Sequence, residues 1–161
     1  MEIRPATEED FAALWPIFQA VVASETTYCF RADTPRAEAL AYWFGPGIAT
    51  YVAEDQGRVV GMYKLVANHP DLGSHVANAS FMVDPAWQGK GAGRQMGLHC
   101  LAEARRAGFR AMQFNFVVST NRAALALWQD LGFSIVGTLP QVFKHRDQGL
   151  VDAYVMHRFL D

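Results

Sequence analysis

The segment VDPAWQGKGAGRQM, Val83 to Met96, constrains the fold more than any other. It sets Gly89, Gly91 and Gly93 between a strand-like run and an amphipathic, helix-like one. Glycine costs a helix roughly 0.5–1 kcal/mol against alanine, so glycines crowded at a helix start imply an unusual backbone path or something approaching it closely. Two common phosphate loops fail by single positions. A Walker loop needs Gly-Lys-Ser/Thr, and Gly91 follows Lys90; a G-x-G-x-x-G fingerprint needs glycine where Arg94 or Met96 stands. The pattern Q/R-x-x-G-x-G/A after a strand ending Val-x-Pro fits at Val83, Pro85, Gln88, Gly91 and Gly93. Glycines let successive N–H groups at a helix start converge on an anion. The helix dipole is worth only about 0.3–1 kcal/mol when exposed, while hydrogen bonds to a charged group add roughly 1.5–3 kcal/mol each. The amides therefore dominate, with Lys90, Arg94 and Arg122 adding charge. The competing reading is a turn needed only for packing.

The flanking pattern predicts the order βααβββαβαββ. Glu2–Arg4 reads as a strand. Thr7 caps a helix carrying Phe11, Leu14, Trp15 and Phe18, with a kink or break expected at Pro16. Thr34-Pro35 reads as a second helix start, followed by Ala39, Leu40, Tyr42, Trp43 and Phe44. Ala49–Glu54 and Arg58–Ala67 form a hairpin around Asp55-Gln56-Gly57, Asn68–Ser74 is a loop, and His75–Asp84 is a third strand. Gly93–Ala107 is a helix ended by Gly108, Arg110–Val118 a strand, Ser119–Leu131 a helix ended by Gly132, and Phe133–Leu139 a strand. Pro140–Gly149 reads as a loop before the last strand, Val151–Phe159. Strand, glycine loop, helix and strand make a βαβ unit with a right-handed crossover.

At 161 residues, with half of them apolar and 12% aromatic, the chain is expected to be one domain, 1–161, with a real core. A net charge of −2 argues against a nucleic-acid partner. No apolar run reaches membrane-spanning length and MEIRPATEED lacks signal-peptide features, so a cytoplasmic location is expected and no membrane partner. Cys29 and Cys100 are expected as two buried free thiols. The scattered histidines lack zinc-like spacing, so no metal is expected.

The segment NRAALALWQDLGF supplies a second motif, N-x-x-A followed by G-F, at Asn121, Ala124, Gly132 and Phe133. With the glycine loop and the element order, it resembles the GCN5-related N-acetyltransferase (GNAT) superfamily over nearly the whole chain. The resemblance implies an α/β (α+β) fold with a mixed central sheet of six to seven strands, about four flanking helices, and splayed central parallel strands. It implies acetyl-CoA (coenzyme A) as cofactor. Its pyrophosphate would lie on the amides of Gln88, Gly89, Lys90, Gly91, Ala92, Gly93 and Arg94, and its pantetheine along Phe81, Met82 and Val83. Asn121, Ala124 and Trp128 would complete the cofactor site. Relatives imply a homodimer.

Alternation puts Asn78, Ser80 and Met82 on one face of the third strand and Ala77, Ala79, Phe81 and Val83 on the other. Asn115 shares a face with Gln113, opposite Met112, Phe114 and Phe116. Asparagine is disfavoured in strands. Asn78 and Asn115 therefore either bond neighbouring backbone or act on substrate and the developing oxyanion. The stretches HVANASF, FNFVVSTN and GLVDAYVM resemble fungal N-acetyltransferases of proline analogues such as azetidine-2-carboxylate, which implies substrate roles for Asn78, Asn115 and Asn121. A looser resemblance to phosphinothricin-type acetyltransferases makes Ser24–Phe30, with Glu25 and Tyr28, an acceptor-side loop.

Many members carry tyrosine where Trp128 stands, as acid toward the departing thiolate. A thiol pKa of about 8.5 makes unprotonated departure cost roughly 2 kcal/mol, so the acid is helpful rather than essential. Trp128 then serves as a channel wall or as core. An alkylamine near pKa 10 needs about 4 kcal/mol for deprotonation at pH 7, which calls for a base. Glu25, His75 and Glu54 are candidates, and His145 and Asp147 are placed in a loop that either lines the acceptor pocket or is simply solvated. Neither cysteine is proposed as a nucleophile. The expected function is acetyl-CoA-dependent N-acetylation of a small amino-acid-like amine. The alternatives are a protein or peptide N-acetyltransferase and a non-catalytic acyl-CoA sensor.

Overall fold

A computed structural model describes residues 1–161. The elements are β1 (Glu2–Pro5), α1 (Phe11–Ala23), α2 (Arg36–Phe44), β2 (Ala49–Asp55), β3 (Arg58–Ala67), β4 (Val76–Val83), α3 (Ala92–Arg106), β5 (Ala111–Val118), α4 (Arg122–Asp130), β6 (Ser134–His145) and β7 (Gly149–Phe159). They form a mixed α/β fold around one seven-stranded sheet in the order β1-β2-β3-β4-β5-β7-β6. Every pairing is antiparallel except that of β4 with β5.

Helices cover both faces because apolar residues on each recur at helical spacing. On α1, Phe11, Leu14, Ile17, Phe18, Val21 and Val22 are buried, and they pack with Trp43, Val52, Met62 and Met82. On α3, Met96, Cys100, Leu101 and Ala104 face the other side of the sheet with Tyr63, Ala79, Phe114 and Trp128. Met82 thus faces one core, and Ala77 and Ala79 the other, as the alternation of β4 requires. Gly108 and Gly132 end α3 and α4 at φ of 87° and 85°. At each end the residue after the glycine donates its N–H five residues back, Phe109 to Ala104 at 3.0 Å and Phe133 to Trp128 at 2.9 Å. These are Schellman closures, which favour glycine.

Several expectations need correction. The segment Pro140–Gly149 is not a loop. β6 runs on to His145, and Gly149 already belongs to β7. The strand passes Pro140 through a register shift between Leu139 and Phe143, with Gln141 at φ 50°; a bulge is where a strand tolerates proline. α1 is unbroken at Pro16, whose ring lies on the exposed face, where water can serve the carbonyl that proline leaves unpaired. Thr34 does not cap α2: its hydroxyl donates to the carbonyl of Arg31 at 2.6 Å, and Pro35 is the capping residue. Phe116 leaves the face of Phe114, because β5 shifts register between Phe114 and Val117, and it packs near Phe143 instead. Cys100 is buried as expected, but Cys29 is exposed; both are free.

Candidate active site

The decisive geometry is the early parting of β4 and β5. Their ladder holds only Val76 opposite Ala111 and Ala77 opposite Met112, and then stops. On its other edge β4 is fully paired with β3, from Ala67/Ala77 to Gly61/Val83. The Asn68 N–H reaches the Val76 carbonyl at 2.8 Å and the Asp84 N–H reaches that of Val60 at 2.9 Å. Even-numbered residues of β4 therefore bond β3, and the backbone groups of Ala79, Phe81 and Val83 point into the opening. Two side chains partly occupy that edge: Asn78 Oδ1 accepts the Ala79 N–H at 2.8 Å, and the Tyr28 hydroxyl donates to the Phe81 carbonyl at 2.6 Å.

The glycine loop follows directly. Asp84 caps a short turn by accepting the Ala86 N–H at 2.9 Å, and the chain then reaches α3 through Gly89 and Gly91, at φ of 75° and 84°. A Cβ at either would meet nothing within 4 Å. The left-handed backbone, not crowding, is what selects glycine there. Gly93 has ordinary φ, and its Cβ would touch Leu127 at 3.4 Å, so alanine is admissible, as the G/A of the motif states. The N–H groups of Gly89, Gly91, Ala92, Gly93 and Arg94 make no hydrogen bond within the chain. Any helix leaves its first-turn amides open; here the left-handed glycines extend that open series upstream. Beside them lies a cleft of about 410 Å³ that runs from Gln88 and Gly91 past Val83 and Phe81 to Trp128 and Tyr28.

That cleft continues into a small apolar cavity of about 130 Å³ between the parted strands, walled by Phe81, Phe114, Val117 and Trp128, with Tyr28 at its edge. On the far side of Tyr28 is a third cavity of about 440 Å³, lined by Glu25, Cys29, Phe30, Phe143, Lys144, His145 and Arg146. Tyr28 borders all three. The arrangement offers anion-binding amides, a slot with strand-like hydrogen-bonding groups, and a separate cavity carrying both charge signs.

The comparisons with known proteins agree with this geometry. The family model "Acetyltransferase (GNAT) family" matches residues 12–133. The chain belongs to the GNAT acetyltransferases. Among curated relatives, the N-acetyltransferase aca1 of Schizosaccharomyces pombe is 32% identical over 111 residues, covering 68% of this chain and 53% of that protein. The chain thus matches about half the length of that relative. The L-amino acid N-acyltransferase MnaT of Escherichia coli is 33% identical over 151 residues, 88% of this chain and 84% of that one. Among solved structures, the acetyltransferase yncA of Salmonella typhimurium, determined with acetyl-CoA, superposes with a TM-score of 0.88 at 29% identity, covering 100% of this chain and 94% of that one.

This GNAT chain gathers some of the sequence-predicted residues and disperses others. Phe81, Met82, Val83, Gln88, Gly89, Gly91, Ala92, Gly93, Arg94, Asn121, Ala124 and Trp128 all line the 410 Å³ cleft. Lys90 is not among its walls; its ammonium lies 4.6 Å from the centre of the Trp87 ring. Asn121 caps α4, accepting the Ala124 N–H at 3.2 Å. Trp128 is both wall and core, 7% exposed and 4.7–4.8 Å from the Phe114 and Phe81 rings. Asn115 lies on the exposed surface, donating to Asn68 at 2.7 Å and accepting from Gln113 at 2.9 Å, and borders none of the three cavities. Asn78 likewise turns back to the backbone beside it. His75 is exposed at the closed end of the β4–β5 pair, where its carbonyl accepts the Arg110 N–H, well away from the cleft. Glu54 is engaged by Arg4 at the sheet edge. His145 is 8% exposed in β6 rather than in a loop, and its Nδ1 accepts the Asp147 N–H at 3.1 Å. The neutral ring then presents an N–H at Nε2, a donor rather than a base. Cys29 is exposed at the surface, yet the protein around it withdraws enough water to raise its thiol pKa, which opposes a nucleophilic role. Lys144 and Arg146 escaped the sequence reading; the signal was the alternation of Phe143 and His145 with charged neighbours, interrupted by Pro140.

Proposed function

We propose that the protein is an acetyl-CoA-dependent N-acetyltransferase whose acceptor is a small zwitterionic amine of amino-acid type. The observation that carries the reading is Tyr28, which borders the glycine-loop cleft on one side and a cavity of mixed charge on the other. The open amides of Gly89, Gly91, Ala92, Gly93 and Arg94 would hold the pyrophosphate, and the free edge at Phe81 and Val83 would take the pantetheine. Phe81, Phe114 and Trp128 would then enclose the thioester. Apolar walls strengthen electrostatic interactions at the reacting carbonyl.

The acceptor enters from the 440 Å³ cavity. Lys144 and Arg146 answer a carboxylate, and Glu25 is the one carboxylate among the residues that line it. Glu25 takes the ammonium proton, through water where it does not reach the amine directly. The name of MnaT, an L-amino acid N-acyltransferase, supports an acceptor of this class. A thiol-release screen of acetyl-CoA against amino acids, proline analogues, methionine sulfoximine and short peptides tests the reading. Release with free amino acids is expected; release with peptides alone overturns the acceptor assignment.

A further inference from the structure

We propose that Tyr28 is the acid that protonates the departing CoA thiolate, a catalytic role supplied from the loop after α1. The inference rests on the acetyltransfer reading above. Its geometric basis is independent of any acceptor. The Tyr28 hydroxyl lies 2.6 Å from the Phe81 carbonyl, on the edge of β4 that faces the parted strands. Most residues that line the cavity are aromatic or aliphatic, and Trp128 has no O–H to give. Of the other hydroxyls there, Ser80 is paired with the Tyr42 hydroxyl at 2.7 Å, and the aliphatic alcohol of Thr27 is a much weaker acid than a phenol. Asn121, which also borders it, has its carbonyl oxygen engaged at the start of α4.

The backbone around Tyr28 supports a functional placement. Tyr28 has φ 55°, and Glu25, three residues earlier, has φ 52°. Non-glycine residues in this region cost of order 1–3 kcal/mol each and concentrate at functional sites. The loop is tied down from two sides, because the Glu25 carbonyl accepts the Arg146 N–H at 3.1 Å. Strain held in place by β4 and by the turn after β6 fixes one hydroxyl at the meeting point of the cavities. Burial holds the phenol in its protonated form, the form an acid requires.

The step balances. The amine nitrogen attacks the acetyl carbon, the C–N bond forms and the C–S bond breaks. Sulfur leaves with the bonding pair and takes the Tyr28 proton. The proton shed by the nitrogen returns to the phenolate through water, so the products are the amide and the free thiol. When a pantetheine amide takes over the Phe81 carbonyl, the hydroxyl is free to turn to sulfur.

The test is Tyr28→Phe in the full chain, which keeps the ring and removes the donor. A thiol pKa of about 8.5 places the thiolate about 1.5 units from neutral pH, which sets a ceiling of about thirtyfold on the expected fall in kcat. The acetyl-CoA Kd and the melting temperature are expected to stay put. Unchanged kcat overturns the proposal. So does tighter CoA binding with kcat retained, the mark of a residue that merely blocks the pantetheine slot. So does a loss of CoA affinity as large as the loss of rate. Wild-type turnover across the amine panel tests the acceptor assignment separately. With an inactive panel, the Tyr28→Phe ratio is read on the slow hydrolysis of acetyl-CoA, which breaks the same C–S bond.

Discussion

Lys64 lays its ammonium 3.2 Å from the centre of the Tyr42 ring and donates to the backbone carbonyl of that same residue at 2.9 Å. It has no carboxylate partner and is 8% exposed. Burial lowers its pKa from 10.5 to about 8. The unfolded chain therefore binds more protons than the folded one between about pH 8 and 10.5, and this group makes stability rise with pH across that window. Lys64→Met removes the titration. Thermal melts of both proteins are expected to differ most in the variant's favour below pH 8, with the difference shrinking as pH approaches 10.5. Each 1 kcal/mol corresponds to about 2–4 °C in a chain of this size.

Gly91 is left-handed at φ 84° with open space around it. Gly91→Glu forces a side chain into a conformation costing roughly 1–2 kcal/mol and sets a negative charge at the helix start proposed to hold the pyrophosphate. Loss of even one charged hydrogen bond, at roughly 1.5–3 kcal/mol, weakens acetyl-CoA binding at least tenfold. Calorimetric titration checks this, and circular dichroism confirms that the fold survives.

Gly61 serves packing rather than conformation. A Cβ there would sit 2.9 Å from Met96 Cε and 3.0 Å from the carbonyl oxygen of Met82. The methionine can move; the backbone of β4 cannot without disturbing the open edge. Gly61→Ala is expected to cost about 1–3 kcal/mol, visible in denaturant unfolding as a lower midpoint at unchanged slope.

What the sequence made legible follows from how local the physics is. Gly91, Gly108 and Gly132 were readable because a left-handed turn at a helix end is decided within a few residues. The two faces of β4 were readable because strand alternation is strict. The first half of β6 was readable as well, but its second half was not, because KHRDQG has the composition of a loop and Pro140 breaks the alternation, while the bulge at Gln141 that rescues the strand leaves no local mark. Asn78 and Asn115 drew attention as polar residues in strands, yet the chemistry they satisfy is the unpaired edge and the loop beside it. Tyr28 sat inside a segment already marked as acceptor-side. Its bond to Phe81, 53 residues away, is a tertiary fact that no local pattern carries.

The parting of β4 from β5 also has a consequence for backbone protection. A folded sheet ordinarily keeps its slowest-exchanging amides at its centre. Here the Phe81 and Val83 amides lie on a central strand but face an opening where the ladder has ended. They are expected to exchange with deuterium far faster than the Met82 amide, which is paired with β3, and to slow when acetyl-CoA takes the place of the missing strand. In protection terms the sheet carries an edge at its own centre, and the proposed pantetheine site lies along that edge.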